Sequence, residues 1–425
     1  MSILGIADST VASLVRPITD PQHGRDAVAE RFARATWTTI AEPGDRVAGL
    51  VVAALGAEAA LQSLIDDRDG ASLRAALASA DAEVDAKELD DAIARWVPRL
   101  SQSDALLALR QAGRFAAQLV VPGDPDWPSA LDDLGEFAPL ALWLRGHREA
   151  LKALDRSIAI IGARAATGYG EHVTIELAAG LADRGYAIVS GAAYGIDGAA
   201  HRSALASRGT TLAFLAGGLD RFYPSGHEAL LTRIIHQGAA IAEVPCGVAP
   251  TKWRFLQRNR LIAAASRATV VVEAGFRSGS LNTAGHAAAL GRPLAAVPGP
   301  ITSAASAGCH RLLREYDAVC VTTAEEIAEL APLPAATRRA LAAERTSADE
   351  RPQTVEQADA GESRPAADPA GTRIRLLDAL APRSARTAES IATLSGLAVD
   401  RVRAELGLLA LEGAVREHAG GWVKV

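Results

Sequence analysis

An α/β protein built on a doubly wound parallel (Rossmann-like) sheet, with a helical domain before it and a winged helix after it, is the architecture this 425-residue sequence predicts. Three observations point there. Short β-rich runs alternate with amphipathic helical stretches between residues 155 and 330, as in a sheet wound through helices on both faces. Three of those runs break into glycine-bearing loops, at 162–170, 190–197 and 278–280. After a stretch rich in Pro, Ala, Glu, Asp and Arg, residues 373–425 regain helical periodicity and close on a Gly420-Gly421 turn.

Residues 1–105 are rich in Ala and Leu at helical spacing, as in Arg46-Val47-Ala48-Gly49-Leu50-Val51-Val52, and read as a small helical domain. Residues 106–154 read as a bridging segment containing Trp127-Pro128 and Leu142-Trp143-Leu144-Arg145-Gly146. In the central domain a strand at 157–161 breaks into Gly162-Ala163-Arg164 and leads to a helix at 171–184. Strands at 186–189, 210–215, 239–243, 268–273 and 293–297 follow, with 318–321 as a further candidate. Ser225-Gly226-His227-Glu228 has capping-box spacing before a helix ending near Gly238. Residues 331–372 carry almost no large apolar side chains and read as a disordered linker. The tail yields helices at 374–380 and 388–394, a third capped by Asp400, and a hairpin at 414–425.

Composition narrows the function. With 49% hydrophobic and 22% charged residues the chain reads as soluble and globular, with room for two or three domains. A formal net charge of −6 excludes a wholly basic surface, so any nucleic-acid contact must be a local patch. Cys246, Cys309 and Cys320 lie far apart without a CxxC, which fits a reducing compartment and no metal site. Neither a signal peptide nor a membrane span is read, and a cytoplasmic protein without a membrane partner is expected.

In an open sheet of this kind, ligands sit beyond the carboxyl ends of the strands, where the three glycine loops fall. A strand, a glycine loop and a helix together aim backbone N–H groups at an anion, usually a phosphate. Arg164 adds a guanidinium to the first loop, the arrangement that grips a nucleic-acid backbone. Glycines after strands also serve plain turns. Ser190 lacks the surroundings of a nucleophile elbow, and Asp197 is as readily a helix cap as a base. Glu273 ends a strand where chemistry would be placed but has no evident partner, and His201 and His286 read as structural. Ser280 can cap the following helix and still meet a phosphate.

The most distinctive element is Thr251-Lys252-Trp253-Arg254-Phe255-Leu256-Gln257-Arg258-Asn259-Arg260. It sets four cations in nine positions among two aromatic rings. Cations neutralise phosphates and aromatic faces stack bases without reading sequence, which is what a single-strand site needs. Cations at a helix start also oppose the macrodipole and call for an anion. The alternative is a solvated helix start with both rings packed inward.

Taken in order, these segments resemble the DNA-processing protein A (DprA/Smf) family. They are Gly162-Ala163-Arg164, Ile188-Val189-Ser190-Gly191 with Gly195-Ile196-Asp197, Gly217-Gly218-Leu219-Asp220 with Tyr223-Pro224, Phe255 with Arg258-Asn259-Arg260, Ser278-Gly279-Ser280-Leu281, and Val297-Pro298-Gly299. The resemblance covers about 155–325. It implies a non-enzymatic protein without cofactor that binds single-stranded DNA, forms a homodimer and helps load the recombinase RecA during natural transformation. It also implies that residues 1–105 are a SAM-like or helix-hairpin-helix domain. It places DNA contacts at Gly162, Arg164, Ser190, Gly191, Lys252, Phe255, Arg258, Asn259, Arg260, Ser278, Gly279 and Ser280, and a dimer interface at Leu312, Leu313 and Tyr316. Ala163 stands where the family usually has Ser or Thr, and Leu256 where it usually has Pro. Two other classes remain open: a nucleotide-processing enzyme using Glu273 or Asp197, and a winged-helix transcription regulator, although the third tail helix carries only Arg401 and Arg403 against Asp400, Glu405 and Glu412.

Overall fold

Seven strands alternate with helices to build the centre of the protein, and each strand's alternating side chains decide which layer covers which face. The computed structural model describes residues 4–19, 25–333, 337 and 369–425, except 382, 383, 398 and 419. The first helices are α1 (Asp8–Val15), α2 (Arg25–Ile40), α3 (Arg46–Leu55), α4 (Ala57–Asp66), α5 (Ala71–Ser79), α6 (Ala86–Trp96) and α7 (Gln102–Arg114). Strands β1 (Gln118–Val120) and β2 (Leu142–Gly146) follow, then β3 (Ser157–Ile161) and α8 (Gly168–Asp183). The winding continues through β4 (Ala187–Ser190), α9 (Ile196–Ala206), β5 (Thr211–Leu215), α10 (Glu228–Gln237) and β6 (Ala239–Ala242). It closes with α11 (Lys252–Ala265), β7 (Ala268–Val271), α12 (Ser280–Ala289), β8 (Leu294–Ala296), α13 (Ala307–Glu315), β9 (Val319–Cys320) and α14 (Ala324–Leu330).

The strands form one sheet in the order β1-β2-β6-β5-β4-β3-β7-β8-β9. From β6 to β9 all neighbours are parallel, as predicted. The chain winds outward from β3 to β6 and then returns to add β7 on the other side of β3. That reversal opens a crevice at the carboxyl ends of β3 and β7, the usual ligand site of such sheets.

Residues 106–154 are more than a bridge. Leu142–Gly146 pairs antiparallel with β6, and Gln118–Val120 pairs with Leu142–Leu144. Alternation along β2 sends Leu142 and Leu144 into one core and Trp143 into another, so this segment belongs to the sheet. Nor are the helices of residues 1–105 an island. Their core, with Trp37 and Trp96 edge to face at 5.1 Å, runs without a break into Trp143, Ala213, Leu215, Ala240 and Ala242 of the sheet. The buried Asp124 carboxylate ties the two parts together by accepting from Arg31 of α2 and from Arg148. One core is thus shared between these helices and the sheet, and α7 runs through residue 105.

The other face is covered by α8, α9 and α14, down to Ala331 and Leu333. Of the predicted linker, 334–336 and 338–368 lie outside the described residues. The tail forms α15 (Pro369–Ala379), α16 (Ala388–Ser395), α17 (Val399–Leu411) and a hairpin of β10 (Val415–His418) and β11 (Gly421–Lys424) around its own small core. Asp400 lies inside α17 rather than capping it. Arg401 donates to Thr372 Oγ1 and Arg403 to Glu389, so both cations of that helix are engaged within the domain. Among the described residues no single helix is long and apolar enough to cross a membrane.

Candidate nucleic-acid interface

Glu273 holds the crevice in shape. It follows β7, and its carboxylate accepts from the Thr167 amide at 2.9 Å and from Thr167 Oγ1 at 2.6 Å, while its backbone oxygen accepts from Ala163 N at 2.7 Å. The candidate catalytic carboxylate therefore clamps the first glycine loop across the switch point. Gly162 serves the same closure: a Cβ there would lie 2.6 Å from Ile196 Cγ1 and 2.8 Å from Glu273 O. The space a side chain would need is taken by the protein itself.

Asp197 does similar work in the second loop. It sits in the first turn of α9, buried, and accepts from the amides of Gly191 at 3.1 Å and Ala193 at 3.4 Å. Ser190 is fully buried and donates to Ile160 O at 2.7 Å. Its hydroxyl is turned to the neighbouring strand β3. His201 lies in the core with Nδ1 against Thr211 Oγ1 at 2.7 Å, and burial lowers its pKa to about 3.

The cationic helix is divided by its own geometry. Thr251 caps α11 by accepting from Arg254 N at 3.2 Å. Arg254 turns to the helical domain, where it forks onto Glu42 at 3.0 and 2.9 Å. Glu42 is thus the anion that the crowded helix start requires, and it comes from inside the protein. Arg260 is 3% exposed and bidentate to Glu243 at 2.7 and 2.6 Å, and it also donates to Phe137 O. Asn259 is buried and donates to Asn282 of α12 at 3.1 Å. Arg258 runs beneath the second loop, donating to Phe214 O at 2.5 Å, and burial pushes its pKa down to about 10. Arg258, Asn259 and Arg260, expected among the DNA contacts, are therefore buried within the protein. From residue 258 to 265 α11 is covered on every side, so consecutive residues that project in different directions are all buried.

What remains outside is a smaller and sharper site. Lys252 is exposed, and Trp253 beside it is 56% exposed, contrary to the inward alternative. Arg164 lies with Cζ 5.2 Å above the Phe255 ring, and Arg258 supports the same ring at 5.8 Å. Tyr223 meets Phe255 at 5.5 Å, tilted by 58°. Gly191, Gly217, Gly218, Arg221, Tyr223, Pro250 and Phe255 line a small pocket there. Arg221 and Tyr223 were not among the predicted DNA-binding residues, although Tyr223-Pro224 was visible as a motif without a role. The Ser278-Gly279-Ser280 loop lies beyond β7, with the Ser278 and Ser280 hydroxyls 2.7 Å apart and open space at Gly279.

Gly191 is needed for this arrangement. A Cβ there would lie 2.1 Å from Arg258 Nη1 and 2.5 Å from its Cζ. We expect Gly191→Ala to displace Arg258 from under Phe255 and to cost about 1–3 kcal/mol of stability, as overpacking does. Urea denaturation of the variant checks this, and unchanged stability would show that Arg258 has another place to go.

At the other rim, Leu312 is 1% exposed and belongs to the core, and Leu313 is half-buried against it. Tyr316 is at the surface, beside exposed Phe276 and Val319, with Arg311 over the rings of both Phe276 and Tyr316. The expected capping box at Ser225 is absent. The helix starts at Glu228, and Ser225 Oγ is engaged elsewhere.

A parallel sheet with clamped glycine loops and an exposed cation–aromatic rim at its switch point defines an α/β protein suited to polyanions. The chain belongs to the DNA-processing protein A (DprA/Smf) family: residues 118–332 match DNA recombination-mediator protein A, and residues 360–421 match the DprA winged helix domain. It is 45% identical over 332 residues to a Mycobacterium tuberculosis chain described as a putative DNA processing protein DprA, covering 75% of this chain and 79% of that one. It is 37% identical to the Escherichia coli protein Smf over 262 residues, 56% of this chain and 69% of the relative. The solved structure of DNA processing protein A from Streptococcus pneumoniae superposes with a TM-score of 0.56 at 26% identity, over 72% of this chain and 99% of that one.

Proposed function

We propose that this protein binds single-stranded DNA with little base preference, as a homodimer, and delivers the strand to a RecA-type recombinase during DNA uptake and recombination. The observation that carries this reading is the rim itself: exposed Lys252 and Trp253 beside Arg164 over Phe255. A phosphate can meet either cation, and a base can stack on either ring. We place the protein in the cytoplasm, where the free thiols Cys246, Cys309 and Cys320 remain reduced. Gel shift with oligo(dT) and with duplex, across salt, tests the preference. Single strands are expected to bind tighter, with affinity falling steeply as salt rises, and equal or tighter duplex binding at moderate salt would count against it. Recombinase delivery is tested by the rate at which RecA filaments form on strands coated with single-strand binding protein.

One strand crossing one protomer meets few cations, so pairing two sites makes the second contact intramolecular and raises avidity. The edge strand β9, last in the sheet among the described residues, supports this pairing, where Phe276 is 63%, Tyr316 36% and Val319 45% exposed. Phe276→Glu with Tyr316→Glu should yield a folded monomer with weaker strand binding. Sedimentation of the unmodified protein as a monomer at micromolar concentration would remove the dimer.

A further inference from the structure

The tail domain places a carboxylate on the central domain. Asp378 of α15 accepts from Tyr194 Oη at 3.1 Å, from the Ser225 amide at 3.0 Å and from Ser225 Oγ at 2.5 Å. Its two partners come from the loops after β4 and β5, at the carboxyl edge of the sheet. Tyr194 Oη in turn accepts from Gly226 N at 3.3 Å, which orients its proton toward Asp378. Arg375, one helical turn before Asp378, lies with Cζ 4.7 Å over the Tyr194 ring. The same domain closes on the first loop. Gly396, at a left-handed φ of 67°, fits so tightly that a Cβ would lie 2.0 Å from Arg164 O. The tail thus covers the loops after β3, β4 and β5, next to the rim assigned to the strand.

Three donors converging on one oxyanion make no distinction between a carboxylate and a phosphate. We propose that Tyr194 and Ser225 form a seat for one phosphate of a DNA strand, and that Asp378 fills this seat when the tail is docked, so that tail docking and strand binding compete. The inference rests on the single-strand reading of this face. Burial and the neighbouring Asp378 carboxylate hold the Tyr194 hydroxyl well above its usual range, so it stays a donor. His227, edge to face with Tyr194 at 4.8 Å, is neutral because burial lowers its pKa to about 4, so it adds no charge to the seat. Arg202, Arg375 and Arg401 are the nearby cations, with Glu171 the facing anion.

The test uses the full chain, with docking followed by small-angle scattering and strand binding by anisotropy of labelled oligo(dT). Asp378→Ala should expand the particle and tighten strand binding. A tail docked about nine-tenths of the time gives about a tenfold gain on release. Adding Tyr194→Phe and Ser225→Ala to Asp378→Ala should remove most of that gain, and oligo(dT) should expand the unmodified protein. An Asp378→Ala protein as compact as the parent, one that expands without binding tighter, or a gain that survives loss of both hydroxyls would overturn the proposal. Loss of binding in Lys252→Ala alongside a neutral Asp378→Ala would leave the single-strand reading standing and sink this inference alone. If no form binds oligo(dT), the single-strand reading falls, and inorganic tripolyphosphate then decides the seat: release of the tail sustains it and a docked tail refutes it.

Discussion

Arg164→Ala combined with Lys252→Ala is expected to remove most single-strand binding while leaving the fold intact. Each side chain offers a charge-assisted bond to a phosphate, and losing one costs about 1–3 kcal/mol of binding. Lys252 is exposed at the start of α11, and Arg164 rests on Phe255, so neither supports the core. Thermal unfolding should therefore stay near that of the parent. The slope of log affinity against log salt should also fall, by roughly 0.7 for each phosphate that is no longer neutralised. Anisotropy at several salt concentrations measures both effects. A double variant that binds oligo(dT) like the parent would place the site elsewhere.

Arg260→Ala should do the reverse, damaging the fold before it touches binding. Its guanidinium is buried and doubly bonded to Glu243, and removing it leaves a buried carboxylate without its cation. Breaking such a pair from one side costs about 3–5 kcal/mol. The Phe137 carbonyl also loses its donor, loosening the packing between α11 and the segment before β2. Urea denaturation should show the destabilisation, and Glu243→Ala should show one of similar size. A stable Arg260→Ala protein with weakened strand binding would restore Arg260 to the outer surface where the sequence pattern had set it.

The contrast between these two predictions marks the limit of sequence pattern. Lys252 and Arg260 stand in one basic run and were equivalent there. They differ because α11 packs against the sheet, so residues 258–265 turn inward while Lys252 and Trp253 lie before the buried stretch begins. Burial of an arginine is tolerable only where a partner waits, and those partners, Glu243 and Phe214 O, are distant in the chain. The same holds for Ser190, Asp197 and Glu273. Each stands at the carboxyl edge of the sheet, Ser190 and Glu273 at strand ends and Asp197 at the start of α9, and each is consumed in holding the protein's own backbone.

By itself the sequence determined the parallel α/β centre, its strand starts to within a residue or two, the glycine loops beyond the strands, the helical and winged-helix flanks and the family. Those are local properties: hydrophobic period, turn residues and short motifs act over a few positions. Only the tertiary structure decided that β1 and β2 join the sheet, that the helical domain shares its core, which cations face outward and that Asp378 reaches Tyr194 and Ser225. Each of these depends on pairing between residues far apart in the chain. Such pairing is fixed by register and packing, which no window of sequence contains.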